Sequence, residues 1–218
     1  MIRAFLFDLD GVIVDTAKYH YMAWKRLSEE LGLSFDIRDN EALKGVSRRR
    51  SFEIILGING KEMSDEEIEA CCQKKNDYYL EYIYQLKKEE ILPGVTDFMK
   101  EASSLGYKIA LGSASKNSRL ILEKLEITPY FDAVIDGTKV SKAKPDPEVF
   151  LKGAEELGVK PEECIVFEDS LAGIMAARKG HMKSVGVANP EVEDCCDYFI
   201  SGFSGADVRV LVKKVSGE

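Results

Sequence analysis

The chain has 218 residues, 45% of them hydrophobic, enough for one sizeable core and a smaller satellite unit. Its net charge of −8 and pI near 5.1 argue against nucleic acid or an anionic membrane surface as the main partner, so any anionic ligand has to be gripped by a local cluster of cations. Five cysteines, odd in number, with two adjacent pairs and no C-x-x-C spacing, suggest neither a disulfide framework nor a zinc site.

The first residues enter an apolar run, Ile2 and Ala4 to Phe7, of the length of a fully buried parallel strand. They carry none of the marks of a signal peptide, and no apolar run approaches the roughly 20 residues of a membrane span. A cytoplasmic monomer is the expectation. After Asp8, Asp10 and Gly11, the pair Asp15-Thr16 signals a helix start. Met22, Ala23, Leu27 and Leu31 then recur at helical spacing until Gly32. A glycine-broken loop from Leu43 to Arg50 carries three consecutive arginines. Ser47 suits the cap of a helix through Leu56 that Gly57 ends. Ser64 with Glu67 is a capping box, and it opens a long polar helix reaching Leu86. Nothing between Thr16 and Lys88 reads as a strand, so residues 15–87 form an all-helical insertion.

From Leu92-Pro93-Gly94 strands and helices alternate. A helix spans Val95 to Leu105, a strand Tyr107 to Leu111, and a helix follows Asn117 to Leu125. Ala133 to Ile135 is a third strand. Its loop carries Lys142 and Lys144, and Pro147 opens a helix to Leu157. Cys164 to Phe167 is a fourth strand, leading into Glu168-Asp169-Ser170 and a helix rich in small residues. Lys183 to Val187 is a fifth strand, Tyr198 to Ile200 a sixth, and a last helix covers Ala206 to Val215. This alternation predicts a doubly wound parallel α/β sheet, built from residues 1–14 and 88–218.

Ligands of such sheets bind beyond the carboxyl ends of the strands. Those ends carry Asp8 and Asp10, Ser113, and Glu168 with Asp169, while the loop after the third strand brings Lys144. Asp8 and Asp10, two apart on an extended backbone, face one side. At about 4 Å and an effective dielectric near 20 their repulsion is roughly 4 kcal/mol. Two acids at a strand end can be harmless solvent-facing groups, and a loop lysine can be merely solvated. Four acids, a hydroxyl and a lysine at one sheet edge point instead to a cation and an anionic substrate. Hard oxygen donors without histidine or cysteine suit magnesium. One carboxylate can then attack phosphorus, the acid two residues on can exchange a proton, and the lysine and serine can neutralise the transferring oxygens.

These stretches resemble the four motifs of the haloacid dehalogenase superfamily in its phosphotransferase branch: Asp8-Leu9-Asp10-Gly11-Val12, Ser113, Lys144-Pro145 and Glu168-Asp169. The resemblance implies a Rossmann-like core with an inserted helical cap, Asp8 as nucleophile and Asp10 as general acid/base. It also implies one magnesium per subunit held by Asp8, Asp169, the Asp10 carbonyl and Glu168. A narrower resemblance, to the sugar-phosphate mutases of that superfamily, rests on Asp15 to His20 with Trp24, on Lys44 to Arg48, on Lys75 to Asp77 and on Ser113 to Asn117. It implies Thr16 as a hinge. Ser113, Ala114 and Lys144 would hold the phosphate being transferred. His20, Gly45, Val46, Ser47, Arg48, Lys75, Ser115 and Asn117 would hold the sugar and the distal phosphate. The activity implied is interconversion of β-glucose 1-phosphate and glucose 6-phosphate, with glucose 1,6-bisphosphate as primer and intermediate. A sugar-phosphate phosphatase on the same core is the nearest alternative, and a non-catalytic sugar-phosphate-binding protein the second. Arg49, Arg50 and His181 read as surface groups, and Trp24 as core packing or a sugar platform.

Overall fold

The computed structural model describes residues 1–43 and 46–217. The chain divides into two compact units, Thr16–Gln85 on the one hand and Met1–Asp15 with Leu86–Glu218 on the other.

The helical unit comprises α1 (Ala17–Glu30), α2 (Ile37–Glu41), α3 (Arg48–Ile58) and α4 (Asp65–Ile83). Ala23, Trp24 and Leu27 of α1 are buried with Phe52, Ile55 and Leu56 of α3 and Tyr78, Tyr79 and Ile83 of α4. The i, i+3 and i+4 spacing of these residues gives each helix one apolar stripe. Trp24 lies flat against Phe52, ring centroids 5.8 Å apart, and is 3% exposed, so it is core packing rather than a platform for sugar.

The capping box of α4 is present: Glu67 N–H donates to Ser64 Oγ and Ser64 N–H to Glu67 Oε2. Two boundaries differ from the sequence reading. α4 ends at Ile83 instead of reaching Leu86. α3 runs through Gly57 to Ile58, because the left-handed turn falls at Gly60 (φ +59°) and Asn59 Nδ2 meets the Ile55 carbonyl. α2 has no counterpart in the sequence reading. It is a single turn held by Asp36, whose carboxylate accepts the Arg38 and Asp39 N–H groups while Asp39 returns the bond to Asp36 N–H.

The other unit is a six-stranded parallel sheet: β1 (Ala4–Phe7), β2 (Lys108–Gly112), β3 (Ala133–Ile135), β4 (Cys164–Glu168), β5 (Lys183–Val187) and β6 (Tyr198–Ile200), in the order β3-β2-β1-β4-β5-β6. Its helices are α5 (Val95–Ser104), α6 (Ser118–Lys124), α7 (Glu148–Leu157), α8 (Leu171–Lys179) and α9 (Val208–Ser216). Alternation along β1 sends Ala4 and Leu6 to one face, where they join Val149, Phe150 and Ala154 of α7 and Ala176 and Ala177 of α8. Phe5 and Phe7 go to the other face and meet Phe98 of α5, Phe167 of β4 and Phe203. With helices on both faces, all four β1 residues are buried, which is why the run is apolar without alternation.

Starting from the central β1, the chain winds out to β3, then returns to β4 beside β1 and continues to β6. The reversal falls between β1 and β4, and in doubly wound sheets that switch point opens a crevice at the carboxyl ends. Register pairs Phe7 with Phe167, so Asp8 emerges beside Glu168, its N–H bonded to the Phe167 carbonyl at 3.0 Å. Among the described residues no helix is long and apolar enough to cross a membrane.

Candidate active site

β1 stops at Phe7, one residue short of the acids, and the chain then turns. Ile13 and Val14 N–H groups bond back to the Leu9 carbonyl, and Gly11 N–H bonds to Val14 O. The extended spacing expected for Asp8 and Asp10 is therefore replaced by a loop. Asp10 still acts on the same site, since its charge raises the proton affinity of both Asp8 and Asp169. Gly11 has φ +78°, and a Cβ there would come within 2.0 Å of Asp169 Oδ2. Only glycine allows the loop to pass so close to the acid.

Asp8, Glu168 and Asp169 each offer a carboxylate oxygen within 4.8 Å of the others. Lys144 Nζ reaches into the group, 2.5 Å from Asp8 Oδ1 and 2.5 Å from Glu168 Oε1. Burial alone would lower the proton affinity of that ammonium. The two carboxylates reverse the sign and hold Lys144 above the ordinary lysine range, so it stays charged. Desolvation, then Glu168 and Asp10, push Asp8 up against the pull of Lys144. Asp169, raised chiefly by burial and then by Glu168, reaches about 7. One ammonium among three carboxylates leaves a buried negative excess. The donor set is all oxygen, so the site fits a hard divalent cation such as magnesium.

Two residues that the sequence reading passed over complete this cluster. Ser170 donates both its N–H and its Oγ–H to Glu168 Oε2 at 2.8 Å, while its Oγ also caps α8 by accepting the Gly173 N–H. Asn189, two residues past β5, donates from Nδ2 to the Asp169 carbonyl at 2.8 Å. Both sit at the same sheet edge, so the rule that located the acids would have found them.

At the end of β2 a chain of hydroxyl turns shapes the loop. Ser113 Oγ accepts the Ser115 N–H and Ser115 Oγ accepts the Asn117 N–H, each at 3.2 Å. Ser113 is buried with its N–H on the Ile135 carbonyl, Ala114 is exposed, and Ser115 and Asn117 are half-buried.

The helical unit carries its own polar group. Lys75, 2% exposed, donates from Nζ to His20 Nδ1 at 2.7 Å, and His20 stacks on Tyr79. Lys75 Nζ also lies over the rings of Trp24 and Tyr79. A donor on Nδ1 leaves the ring proton of neutral His20 on Nε2. Burial, then Lys75, then Arg48 hold the imidazole well below its usual range, so it is neutral. Arg48 Nη2 donates to Asn76 Oδ1 at 2.7 Å, an uncharged partner. Arg49 by contrast is paired with Asp65, Glu53 and Glu69, and Arg50 with Glu53. The arginine triplet thus divides into two structural cations, Arg49 and Arg50, and one, Arg48, whose guanidinium meets the neutral Asn76 amide.

Ser47 is exposed and spends its Oγ on the Arg50 N–H as the cap of α3, and Val46 is half-buried. Thr16 is buried at the first residue of the helical unit, in the cap position of α1, without a capping bond from its side chain. Gly45 lies outside the described residues. His181 is exposed.

The family model of haloacid dehalogenase-like hydrolases matches residues 2–181. A β-phosphoglucomutase of Bacillus subtilis is 42% identical over 188 residues, 85% of this chain and 83% of the relative. A fructose-1-phosphate phosphatase of Escherichia coli is 34% identical over 182 residues, 84% of this chain and 94% of the relative. The crystal structure of a β-phosphoglucomutase from Clostridium difficile superposes with a TM-score of 0.91 at 40% identity, covering 100% of this chain and 98% of that one. With the acids, the lysine and the serine at the carboxyl ends of one doubly wound sheet, the chain belongs to the haloacid dehalogenase-like hydrolase family.

Proposed function

We propose that the protein is a phosphomutase acting on sugar phosphates, interconverting β-glucose 1-phosphate and glucose 6-phosphate through an aspartyl phosphate and bound β-glucose 1,6-bisphosphate. The observation that carries this reading is that each of the two units builds its own cation set. Lys144 sits among the acids of the sheet unit, and Arg48, Lys75 and neutral His20 gather in the helical unit. A mutase has to hold a substrate with two phosphates and turn it over between half-reactions, whereas a phosphatase needs one anion site. The 42% identity to a β-phosphoglucomutase supports the choice.

In this reading Asp8 attacks phosphorus as the bond to the sugar oxygen breaks, and Asp10 passes a proton to or from that oxygen. Lys144, Ser113 and the N–H of Ala114 hold the transferring oxygens as charge shifts among them. Asp8, Glu168, Asp169 and the Asp10 carbonyl would hold one magnesium, which neutralises the carboxylates and polarises the phosphoryl oxygens when bound. Arg48, with Ser115 and Asn117, grips the phosphate that is not moving, a planar fork suited to that anion. His20 offers its Nε2–H, and Lys75 its ammonium, to the sugar. The helical unit acts as a cap hinged at Thr16 that excludes water. A cytoplasmic setting fits, since all five cysteines are free thiols.

The test is a coupled assay with magnesium, β-glucose 1-phosphate and a trace of bisphosphate, following glucose 6-phosphate and free phosphate together, with the α-anomer as control. Glucose 6-phosphate from the β-anomer alone, with little phosphate released, is the expected result. Accumulating phosphate would transfer the assignment to a sugar-phosphate phosphatase like the Escherichia coli relative. In the same assay Arg48→Ala should lower mutase turnover about 30-fold or more, the usual effect of truncating one partner of a charged contact. Its hydrolysis of a small phosphate ester should move far less. Equal losses on both substrates would remove Arg48 from the distal phosphate.

A further inference from the structure

Lys144 is the cation that enters the buried acid cluster, yet it stands on an irregular segment between Ile135 of β3 and Glu148 of α7. Irregular segments fluctuate unless side chains tie their backbone down. Here one carboxylate does so. Glu148 Oε2 accepts the Ser141 N–H at 2.9 Å, the Ser141 Oγ–H at 3.0 Å and the Lys142 N–H at 2.8 Å. Its Oε1 accepts from Lys152 Nζ at 2.7 Å, and the same ammonium donates to the Lys139 carbonyl at 2.6 Å. The segment is therefore gripped from Lys139 to Lys142 by two side chains one turn apart on α7, immediately before Lys144. On the far side the Asp146 N–H returns to the Ala143 carbonyl, and the Glu148 N–H bonds to Asp146 Oδ1.

The anchor is rigid because α7 is rooted in the core through Val149 and Phe150, and Lys144 Nζ itself lies 4.7 Å from the Phe150 ring centroid. We propose that Glu148, steadied by Lys152, is a positioning residue for Lys144, fixing the loop so that the ammonium meets the transferring phosphoryl group without reorganisation. The proposal rests on the reading of Lys144 as a phosphoryl-binding group. The Lys152 ammonium, then the Lys142 N–H, hold the Glu148 carboxyl down to about 2, so the clamp stays ionised across the working pH range.

The test compares wild type, Glu148→Gln and Glu148→Ala. Amide hydrogen exchange at Ser141 and Lys142 reads the loop, and magnesium-dependent labelling of Asp8 by acetyl phosphate reads the chemistry. The alanine variant should exchange these two amides faster while β4 and α8 stay protected. It should also label Asp8 about 10-fold or more slowly, since misplacing a group by about 1 Å can cost on the order of 10²-fold. Its loss should fall on kcat, with KM for the sugar phosphate little moved and the ratio to wild type equal at pH 6 and pH 8. Glutamine, which keeps an acceptor for the two amides but loses the ionic hold of Lys152, should recover part of the rate. Unchanged exchange, or unchanged labelling despite faster exchange, overturns the proposal. Absence of labelling in wild type would sink the functional reading instead, and the exchange comparison, which needs no turnover, would still decide whether Glu148 holds the loop.

Discussion

Asp8→Asn is expected to abolish turnover, by about 10⁴-fold or more, without weakening the fold. The loss is of the size seen when a covalent nucleophile is removed, because the remaining groups can bind substrate but have nothing to accept the phosphoryl group. Asparagine keeps the volume and can still accept from Lys144. The stability side follows from counting neighbours. Asp8 has one attractive partner, Lys144 at 2.5 Å, and two repulsive ones in Glu168 and Asp10, and it is 8% exposed. Burial first, then the two repulsions, push the Asp8 carboxyl up in spite of that attraction, so desolvation and repulsion together outweigh it. Lys144 is not stranded by the change, since Glu168 still holds it at 2.5 Å. The magnesium-free variant should therefore melt at or above the wild-type temperature, a trade of stability for function common at such sites. Activity assays, Asp8 labelling and thermal denaturation in EDTA check the three claims. Retained turnover would remove Asp8 as nucleophile, and a lower melting temperature would mean that the Lys144 pair outweighs the repulsion.

The strands and the acids were legible in the sequence for a common reason. A strand buried on both faces must be apolar throughout, so a carboxylate at its end stands out against Ala4 to Phe7 or Cys164 to Phe167. The parallel order then brings those ends together whatever lies between them. The parts that stayed hidden depend on contacts rather than on pattern. α2 is too short for apolar periodicity and is held by Asp36 and Asp39, an acidic variant of the capping box. Gly57 looked like a helix stop, but nothing in the pattern distinguishes it from Gly60, where the left-handed residue falls. A loop at Leu9 takes the place of the extended backbone that the spacing of Asp8 and Asp10 suggests, and Gly11 has to be glycine because Asp169, far along the chain, leaves no room for a Cβ. The role of Asn76, which holds Arg48 from another helix, likewise emerges only once distant segments meet.

Asp169 should make the magnesium-free protein lose stability as pH rises, and magnesium should restore it. Its carboxyl has an ordinary value of 3.8 and stands at about 7 in the folded protein, raised first by burial and then by Glu168. The folded state thus binds the extra proton between those values. The stabilising contribution is complete below about pH 4, declines as pH rises and is gone above about pH 7. At 1.36 kcal/mol per pH unit the full swing is up to about 4 kcal/mol. Asp169→Asn has no proton to lose, so in EDTA its stability relative to wild type should rise steadily from pH 4 to pH 7 and then level off. Magnesium acts in the opposite sense. Above pH 7 it meets an ionised Asp169 and needs only to bind. Below pH 7 it must displace that proton, and any held by Asp8, whose carboxyl is raised as well, so its apparent affinity should fall by about tenfold or more per pH unit. Magnesium should accordingly raise the wild-type melting temperature far more at pH 8 than at pH 5.5, and should leave Asp169→Asn almost unmoved at either pH. Parallel pH profiles for wild type and Asp169→Asn in EDTA would show that another group titrates. An undiminished magnesium shift in the variant would take Asp169 out of the metal site, leaving Asp8 and Glu168 to hold the ion without it.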